Sequence, residues 1–209
     1  VYFNSDGSGG VMCGNGGRCI VAFAADMGIR HFDFEAADGF HTAEILENGG
    51  NTKTVRLKMK NVSTVKQENG DSWFIDTGTR HHVQLVKALD SYDVTAEGRK
   101  TRYMAKYGPA GVNANFAEIL PQEKLLHVRT YEKGVEAETC ACGTGITASA
   151  IAAWLASPDI WPADGQGNVH IPVKALNDML AVDFTPSADM GFTDVWLSGP
   201  AVKVAVINV

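Results

Sequence analysis

The sequence predicts an α+β fold made of two related halves. Strand patterns separated by turn signals fill most of the chain, whereas only two segments have strong helical spacing. A short motif also occurs twice, because Cys13-Gly-Asn-Gly16 returns 129 residues later as Cys142-Gly-Thr-Gly145. Both copies precede an apolar segment rich in small residues. This internal similarity favours two half-molecules that each present a cysteine at the start of a helix.

Two segments are predicted as helices with clear ends. Residues 16–27 carry apolar side chains at helical spacing, and Gly28 stands where a C-cap belongs. Residues 145–156 have the same spacing and end before Pro158. A weaker pattern predicts a third helix over residues 95–106.

The other elements are predicted as strands. Alternating or apolar runs bounded by turn residues are typical of strands in hairpins. Asn48-Gly49-Gly50 and Asn69-Gly70 each stand between two such runs, which predicts two hairpins. The predicted strands are residues 31–35, 43–46, 54–59, 62–66, 72–75, 112–118, 125–131, 169–173, 180–184, 195–197 and 202–207.

The composition is that of a folded, acidic protein. Of the 209 residues, 45% are hydrophobic and 20% are charged, which excludes a disordered chain. Lys and Arg number 18 against 24 Asp and Glu, and the net charge of −6 without a basic cluster argues against a nucleic-acid or membrane-surface partner. Residues 139–158 carry no charge over a length that could span a membrane. Their Gly, Ser, Thr and Ala content favours instead a loop that leads into a buried helix.

The repeated motif places each cysteine at a chemically active position. A helix start has unpaired N–H groups and a partial positive charge, which stabilise a thiolate and lower a cysteine pKa below its usual value of about 8.5. Glycines allow backbone N–H groups to turn inward and bind a carboxylate or a phosphate. Two such cysteines in related halves suit racemisation beside a carboxylate, in which one thiolate removes the α-proton and the opposing thiol supplies a proton.

Other interpretations of the cysteines remain open. A buried cysteine is more often a plain core residue than a functional one, and we expect this for Cys19, on the apolar face of its helix, and for Cys140. Zinc binding by Cys140 and Cys142 with His81 and His82 is a further alternative, although the usual Cys-x₂-Cys spacing is absent. Four cysteines are too few for a disulfide scaffold at this length, and reduced thiols favour a cytoplasmic location.

At these residues the sequence resembles the diaminopimelate epimerase family, cofactor-independent isomerases of lysine and cell-wall precursor synthesis. The resemblance extends over essentially the whole chain. The matching stretches are Asn4-Ser-Asp-Gly-Ser8, Met12-Cys-Gly-Asn-Gly-Gly-Arg-Cys19, Thr77-Gly-Thr-Arg-His81, Val112-Asn-Ala-Asn-Phe116, Tyr131-Glu-Lys-Gly134, Glu138-Thr-Cys-Ala-Cys-Gly-Thr-Gly145 and Ser198-Gly-Pro-Ala-Val202.

The resemblance implies an architecture of two pseudo-symmetric domains. Each would be a mostly antiparallel sheet wrapped around a central helix, with the active site in the cleft between them. The first would span residues 1–59 and take back a last strand at 202–209, and the second would span residues 60–201. The implied substrate is LL- or meso-diaminopimelate. No cofactor, metal, nucleic acid or membrane is implied as a partner, and a homodimer is one option.

Individual roles follow from the same resemblance. Cys13 and Cys142 would be the two acid/base thiols, and His81 would be a neighbour of the site. The residues implied to bind the substrate, first its α-carboxylate and then its far end, are Gly14, Asn15, Gly143 and Thr144, followed by Asn4, Asn113, Glu132 and Lys133.

Some departures from the family, and some distinctions from its neighbours, bear on the substrate and on the chain's start. Lys133 stands where the family usually has Arg, which keeps the charge but loses the bidentate fork, and Thr79-Arg80 stand where Asn-Pro is usual. Asn15 favours diaminopimelate over the proline and hydroxyproline racemases, which typically have His there, and the phenazine isomerases lack the cysteine pair. The family opens with a strand and a Gly-Asn loop that are not found before Val1, so we expect the start of the first half to be missing. An inactive fragment or a binding module of the same fold is the alternative of another class.

Overall fold

The strands and helices of the chain mix without a regular βαβ alternation. The computed structural model describes residues 13–36, 39–189 and 191–207. In chain order the elements are α1 (Gly14–Asp26), β1 (Phe32–Ala36), β2 (Gly39–Gly49), β3 (Thr52–Lys58), β4 (Thr64–Asn69), β5 (Ser72–Asp76), β6 (Arg80–Leu85), α2 (Val94–Arg102), β7 (Asn113–Leu120), β8 (Leu125–Glu132), β9 (Ala137–Thr139), α3 (Gly143–Ala156), β10 (Val169–Lys174), β11 (Met179–Pro186) and β12 (Phe192–Val202). This arrangement confirms the predicted α+β class.

The described strands form one continuous path of pairings. The order is β1-β2-β3-β12-β11-β10-β8-β7-β6-β5-β4, and β9 pairs with β8. Most neighbours are antiparallel, but β6 runs parallel to β7 and β10 runs parallel to β8. β12 pairs antiparallel with β3 on one side and with β11 on the other. It therefore connects the strands that contact α1 to the strands that contact α3.

Both predicted hairpins are present. β2 and β3 meet at Gly49 and Thr52, and Gly50 between them has a φ of +78°, a conformation that glycine adopts without strain. β4 and β5 meet at Asn69 and Ser72. The two hairpins are therefore confirmed, with their turns at residues 50–51 and 70–71.

Two strands are not predicted from the sequence, and one predicted strand is wrong. Hydrophobic alternation does not predict β6, because its buried His81 and His82 are polar residues held by side-chain partners. β9 is too short to show a pattern. The predicted strand at 202–207 is wrong, because β12 ends at Val202 and residues 203–207 are exposed and belong to no described strand.

α3 is the buried helix that the uncharged segment predicts. All residues from Gly143 to Ala153 are buried, and their small side chains allow strands to approach the helix from several directions. The weaker helix prediction is confirmed as α2, whose N-cap Asp93 accepts a hydrogen bond from the Ala96 N–H at 3.0 Å. Within the described ranges, no helix is long and apolar enough to cross a membrane.

α1 packs against the sheet through its glycine side. Its contacts are with β12, β3 and β2, and its buried residues are Gly14, Gly17, Arg18 and Val21. Cys19 lies on another face and is exposed, and Cys140 is exposed just before α3. The expectation that these two cysteines are core residues is therefore wrong, because the strands pack on the other face of α1 and Cys140 lies outside α3.

Candidate active site

Cys13 and Cys142 occupy the same position on two helices. Cys13 is the N-cap of α1 with φ −105° and ψ 110°, and Cys142 is the N-cap of α3 with φ −107° and ψ 105°. The Cys13 Sγ accepts a hydrogen bond from the Gly16 N–H at 3.4 Å. The Cys142 side chain makes no such capping hydrogen bond. The repeated sequence motif is therefore a repeated helix start.

The two helix starts meet through their first glycines. A Cβ atom on Gly143 would lie 3.3 Å from the Gly14 Cα and 2.8 Å from Leu197 Cδ2, so a side chain at this position has no room. The Asn15 Nδ2 donates to the Ala141 carbonyl at 3.0 Å and links the first helix start to the segment before the second. The unpaired backbone N–H groups at the starts of α1 and α3 therefore lie close to one another.

Arg18 supports this junction and was not singled out by any motif. Its side chain is 5% exposed, and it donates to the Gly14 carbonyl at 3.3 Å and to the Asn15 Oδ1 at 3.1 Å. Its Nε also lies 3.5 Å from the Pro200 carbonyl on β12. A sequence signal does exist, since Arg18 is the only charged residue between Asp6 and Asp26. An Arg that stands alone within an apolar run predicts a buried side chain with hydrogen-bond partners, since Arg is seldom fully buried without them.

His81 lies behind the second helix start. It is fully buried, and its Nε2 is 2.7 Å from the Thr79 Oγ1. The Thr79 hydroxyl donates to the Thr144 Oγ1 at 3.0 Å, and the Thr144 Oγ1 is 3.5 Å from the Cys142 Sγ. His81 is therefore connected to Cys142 through two hydroxyl groups.

The Cys142 thiol does not have the lowered pKa that its helix position predicts. Burial raises the pKa of Cys142 to about 11, and the negative charge of Glu132 acts in the same direction. The Thr144 hydroxyl and the nearby Gly145 N–H act to lower this pKa but do not outweigh the rise. The expectation of a thiolate is therefore wrong for Cys142, because burial destabilises the charged thiolate more than the helix start stabilises it.

The residues expected at the far end of a substrate lie where β7 begins and β8 ends. The Asn113 side chain is 7% exposed, its Nδ2 donates to the Arg80 carbonyl at 3.3 Å, and its Oδ1 accepts from the Lys133 N–H at 2.9 Å. The Glu132 Oε2 accepts from the Thr139 hydroxyl at 3.0 Å. The Lys133 side chain is exposed. Asn4 lies outside the described residues.

The residues of the zinc alternative are not brought together. His82 faces away from His81, because its Nδ1 is 2.7 Å from the Tyr107 hydroxyl and 3.1 Å from Glu68 Oε2. Cys140 is exposed, whereas Cys142 is buried. In the described part of the chain, no three His, Cys, Asp or Glu side chains converge in a way that could hold a metal ion.

Acid is expected to destabilise the folded protein through His81. Burial lowers the pKa of His81 from its usual 6.5 to about 3, so only the unfolded chain binds this proton between these values. Stability attributable to a neutral His81 is therefore present above about pH 6.5 and falls by about 1.4 kcal/mol per pH unit below it. By about pH 5 the loss reaches about 2 kcal/mol.

Urea unfolding of the wild type and of His81→Gln at about pH 7.5 and about pH 5 measures this effect. The pKa values of His82 and His127 are also lowered by burial, but both histidines are unchanged in the variant. The difference in free energy of unfolding between the two proteins therefore isolates His81. A difference that does not change with pH would contradict a buried neutral histidine.

The sequence has close relatives among diaminopimelate epimerases. The family described as diaminopimelate epimerase matches residues 73–161. The diaminopimelate epimerase of Flavobacterium psychrophilum is 43% identical over 204 residues, which cover 96% of this chain and 74% of that protein. The diaminopimelate epimerase of Chlorobaculum tepidum is 38% identical over 211 residues, covering 97% of this chain and 76% of that protein.

Solved structures share the fold at much lower identity. A phenazine biosynthesis protein of the PhzF family from Bacillus anthracis has a TM-score of 0.69 at 12% identity, covering 91% of this chain and 74% of that chain. A hydroxyproline epimerase from Agrobacterium vitis has a TM-score of 0.64 at 16% identity, covering 96% of this chain and 68% of that chain. These likenesses confirm the two-domain α+β architecture. Taken with the sequence relatives and the paired helix starts, they lead to one conclusion: the chain belongs to the diaminopimelate epimerase family.

Proposed function

We propose that the protein interconverts LL- and meso-diaminopimelate by a two-thiol mechanism without pyridoxal phosphate. The observation that carries this proposal is the pair of cysteines in matching N-cap conformations on two helices whose first residues meet. One cysteine at a helix start suits many reactions. Two cysteines on helix starts that meet suit a single carbon atom held between them, and family membership supports this reaction.

The two thiols differ in burial, and we infer their first roles from this difference. Because the pKa of Cys142 is raised, its thiol keeps its proton at neutral pH and acts as the acid. Cys13 is partly exposed and acts as the base. The Cys13 thiolate takes the α-proton, the electron pair of the broken C–H bond stays on the substrate, and the Cys142 thiol protonates the opposite face. The negative charge passes from Cys13 to Cys142, and the reverse reaction exchanges the roles.

The helix starts supply the charge stabilisation that such a step needs. Removing an α-proton builds negative charge on the neighbouring carboxylate, where fixed N–H donors stabilise it without reorganisation. The donors are the backbone N–H groups at the first residues of α1 and α3, namely those of Gly14, Asn15, Gly143 and Thr144. Their convergence positions the carboxylate beside both cysteines.

The far end of the substrate is assigned to Asn113, Glu132 and Lys133. The exposed ammonium of Lys133 is available to the second carboxylate, and Glu132 suits the second ammonium group of a diamino acid. Asn4 completes this set. A substrate with a charged pair at each end would use both the helix starts and this set, whereas a monocarboxylic amino acid would use only the first.

The wider organisation follows the family. Residues 1–59 form one unit and residues 60–201 the other, with the substrate between them and with β12 paired to both. A cytoplasmic location suits the mechanism, because both thiols must stay reduced.

A substrate panel tests the proposed function. The full-length protein is incubated in deuterated water with each of LL-diaminopimelate, meso-diaminopimelate, proline and hydroxyproline. The stereoisomers are then separated by chromatography, and mass spectrometry measures their deuterium content. We expect interconversion of the two diaminopimelate isomers with one deuterium gained at the α-carbon. Turnover of only the monocarboxylic amino acids would overturn the assignment of the far-end residues. No turnover of any of them would favour the binding module.

Oxidation of the substrate-free protein is expected to abolish activity reversibly. The helix starts that carry Cys13 and Cys142 meet, so an oxidant is expected to join the two sulfurs in a disulfide that a reductant then opens. Peptide mapping by mass spectrometry identifies the bond. The exposed Cys19 and Cys140 are the competing targets, so the double variant Cys19→Ser/Cys140→Ser is the control and should lose activity equally. Oxidised protein that stays active with both Cys13 and Cys142 free would contradict this prediction.

A further inference from the structure

A line of side-chain hydrogen bonds leads from the buried Asn115 to the Cys142 sulfur. It passes through His81, Thr79 and Thr144, with separations of 3.1, 2.7, 3.0 and 3.5 Å. Each hydroxyl or neutral imidazole in the line has one proton to donate. Once the donor and the acceptor are known for the first hydrogen bond, they are therefore fixed for every later one.

The surroundings of Asn115 determine which atom donates in its hydrogen bond with His81. Its side chain is 0% exposed, and its Nδ2 donates to the His82 carbonyl at 3.0 Å while its Oδ1 accepts from the Thr130 hydroxyl at 3.0 Å. A carbonyl oxygen only accepts, so the amide nitrogen must lie on the side that faces His82 O and His81 Nδ1. The Nδ1 of His81 is therefore an acceptor.

The accepting Nδ1 of His81 determines which group donates in each of the remaining hydrogen bonds. A neutral imidazole carries one proton, and an accepting Nδ1 places that proton on Nε2, which donates to the Thr79 Oγ1. The Thr79 hydroxyl is then left to donate to Thr144, and the Thr144 hydroxyl is left to donate to the Cys142 Sγ. The sulfur thus receives a donor from Thr144, and its own proton is free to point at a substrate.

Among the residues that the structure describes, the first helix start shows no equivalent arrangement. Asn15 stands where the second motif has Thr144, and its amide is engaged by Arg18 and by the Ala141 carbonyl instead. The two otherwise matching cysteines therefore have different hydrogen-bond surroundings.

We propose that Asn115 is a positioning residue that sets the tautomer of His81 and, through Thr79, makes Thr144 a hydrogen-bond donor to the Cys142 sulfur. This inference rests on the proposed function only in so far as Cys142 is the acid/base thiol. It gives roles to Asn115 and Thr79, which contact no substrate in the proposed mechanism. The donated bond stabilises the Cys142 thiolate that forms once its proton has passed to the substrate.

Asn115→Asp is expected to reverse donor and acceptor in the hydrogen bonds between residue 115, His81 and Thr79, with almost no change in the shape of the side chain. A carboxylate only accepts, so it would hold the proton on His81 Nδ1 and turn Nε2 into an acceptor. Thr79 would then donate to His81 and no longer to Thr144. Nitrogen-15 NMR of the substrate-free, histidine-labelled protein reads the tautomer directly. We expect the Nε2–H form in the wild type and the Nδ1–H form in the variant, and an Nδ1–H form in the wild type would overturn the proposal.

Alkylation of Cys142 measures the consequence for the thiol. At a fixed pH near 8, we expect Asn115→Asp and Thr79→Val each to slow alkylation of Cys142 about tenfold, because the thiolate loses a charge-assisted hydrogen bond. Thr79→Ser, which keeps the hydroxyl, should restore the wild-type rate and guards against a folding defect. Glu132 and Cys13, whose charges act on the pKa of Cys142, are unchanged in all three variants. Asn115→Asp adds a carboxylate of its own, so Thr79→Val, which adds no charge, is the variant that isolates the hydrogen bond.

Mass spectrometry of the Cys13 peptide in the same samples is the internal reference. Its alkylation should change by less than about twofold, since no part of the line reaches it. Equal rates at Cys142 in the wild type, Asn115→Asp and Thr79→Val would overturn the proposal. Neither measurement uses a substrate, so a protein that keeps the line but fails in the substrate panel would overturn the proposed function and not this inference.

Discussion

Replacing either Cys13 or Cys142 with alanine is expected to lower the rate of diaminopimelate epimerisation by about 10²- to 10⁴-fold, the usual contribution of a positioned acid or base. Each direction of the reaction uses one thiol as base and the other as acid, so neither direction survives the loss of one thiol. The folded structure should persist, because Cys13 is only partly buried and alanine fills most of the Cys142 position.

Exchange of the α-proton in deuterated water distinguishes two bases from one. A variant that keeps a single thiol can still remove the α-proton from the isomer that faces it and return a deuteron to the same side. We therefore expect Cys13→Ala and Cys142→Ala each to exchange one isomer slowly without inversion, and the two variants to exchange opposite isomers. Cys19→Ala and Cys140→Ala, which remove exposed thiols, are the matched controls and should retain full activity. Undiminished epimerisation in either Cys13→Ala or Cys142→Ala would rule out the two-thiol mechanism.

The features that the sequence predicts correctly are local ones. The Cys-Gly-x-Gly repeat predicts two helix starts because the capping residue and its glycines lie within four consecutive residues. The Asn-Gly turns are likewise local, and the uncharged residues of α3 reveal a helix that is buried all round. These elements depend little on what the rest of the chain does.

The errors and omissions come from contacts between distant segments. Cys19 is exposed because the strands approach α1 on its glycine side, which no spacing within the helix reveals. The raised pKa of Cys142 depends on enclosure by other elements and on Glu132, ten residues away in the chain. Asn115 reads as an ordinary polar residue of a strand, and only the fold places it against His81. Long-range burial decides these properties, and a single sequence does not encode it in any short pattern.

Gly143→Ala is expected to impair both stability and catalysis, because it forces the two helix starts apart. The added Cβ would lie 2.8 Å from Leu197 Cδ2 and 3.3 Å from the Gly14 Cα. Leu197 is fully buried in β12, and backbone at Gly14 has no rotamer to change, so neither neighbour yields easily. We expect the free energy of unfolding to fall by about 1–3 kcal/mol, as for other overpacked sites. A shift of the helix start by a few tenths of an ångström would also separate the N–H donors from the thiols, and kcat/KM should fall by at least about 10²-fold.

Two further glycines provide a graded comparison for that prediction. A Cβ on Gly14 would meet Leu197 Cδ2 at 3.1 Å and the Gly143 Cα at 3.4 Å, so Gly14→Ala should have a smaller effect of the same kind. A Cβ on the exposed Gly165 would meet nothing within 4 Å, and Gly165→Ala should leave stability within about 0.5 kcal/mol of the wild type. Urea unfolding and steady-state kinetics of the three variants test the order. If Gly143→Ala lost stability but kept wild-type kcat/KM, the junction of the helices would be a packing feature alone, and the carboxylate would have to bind elsewhere.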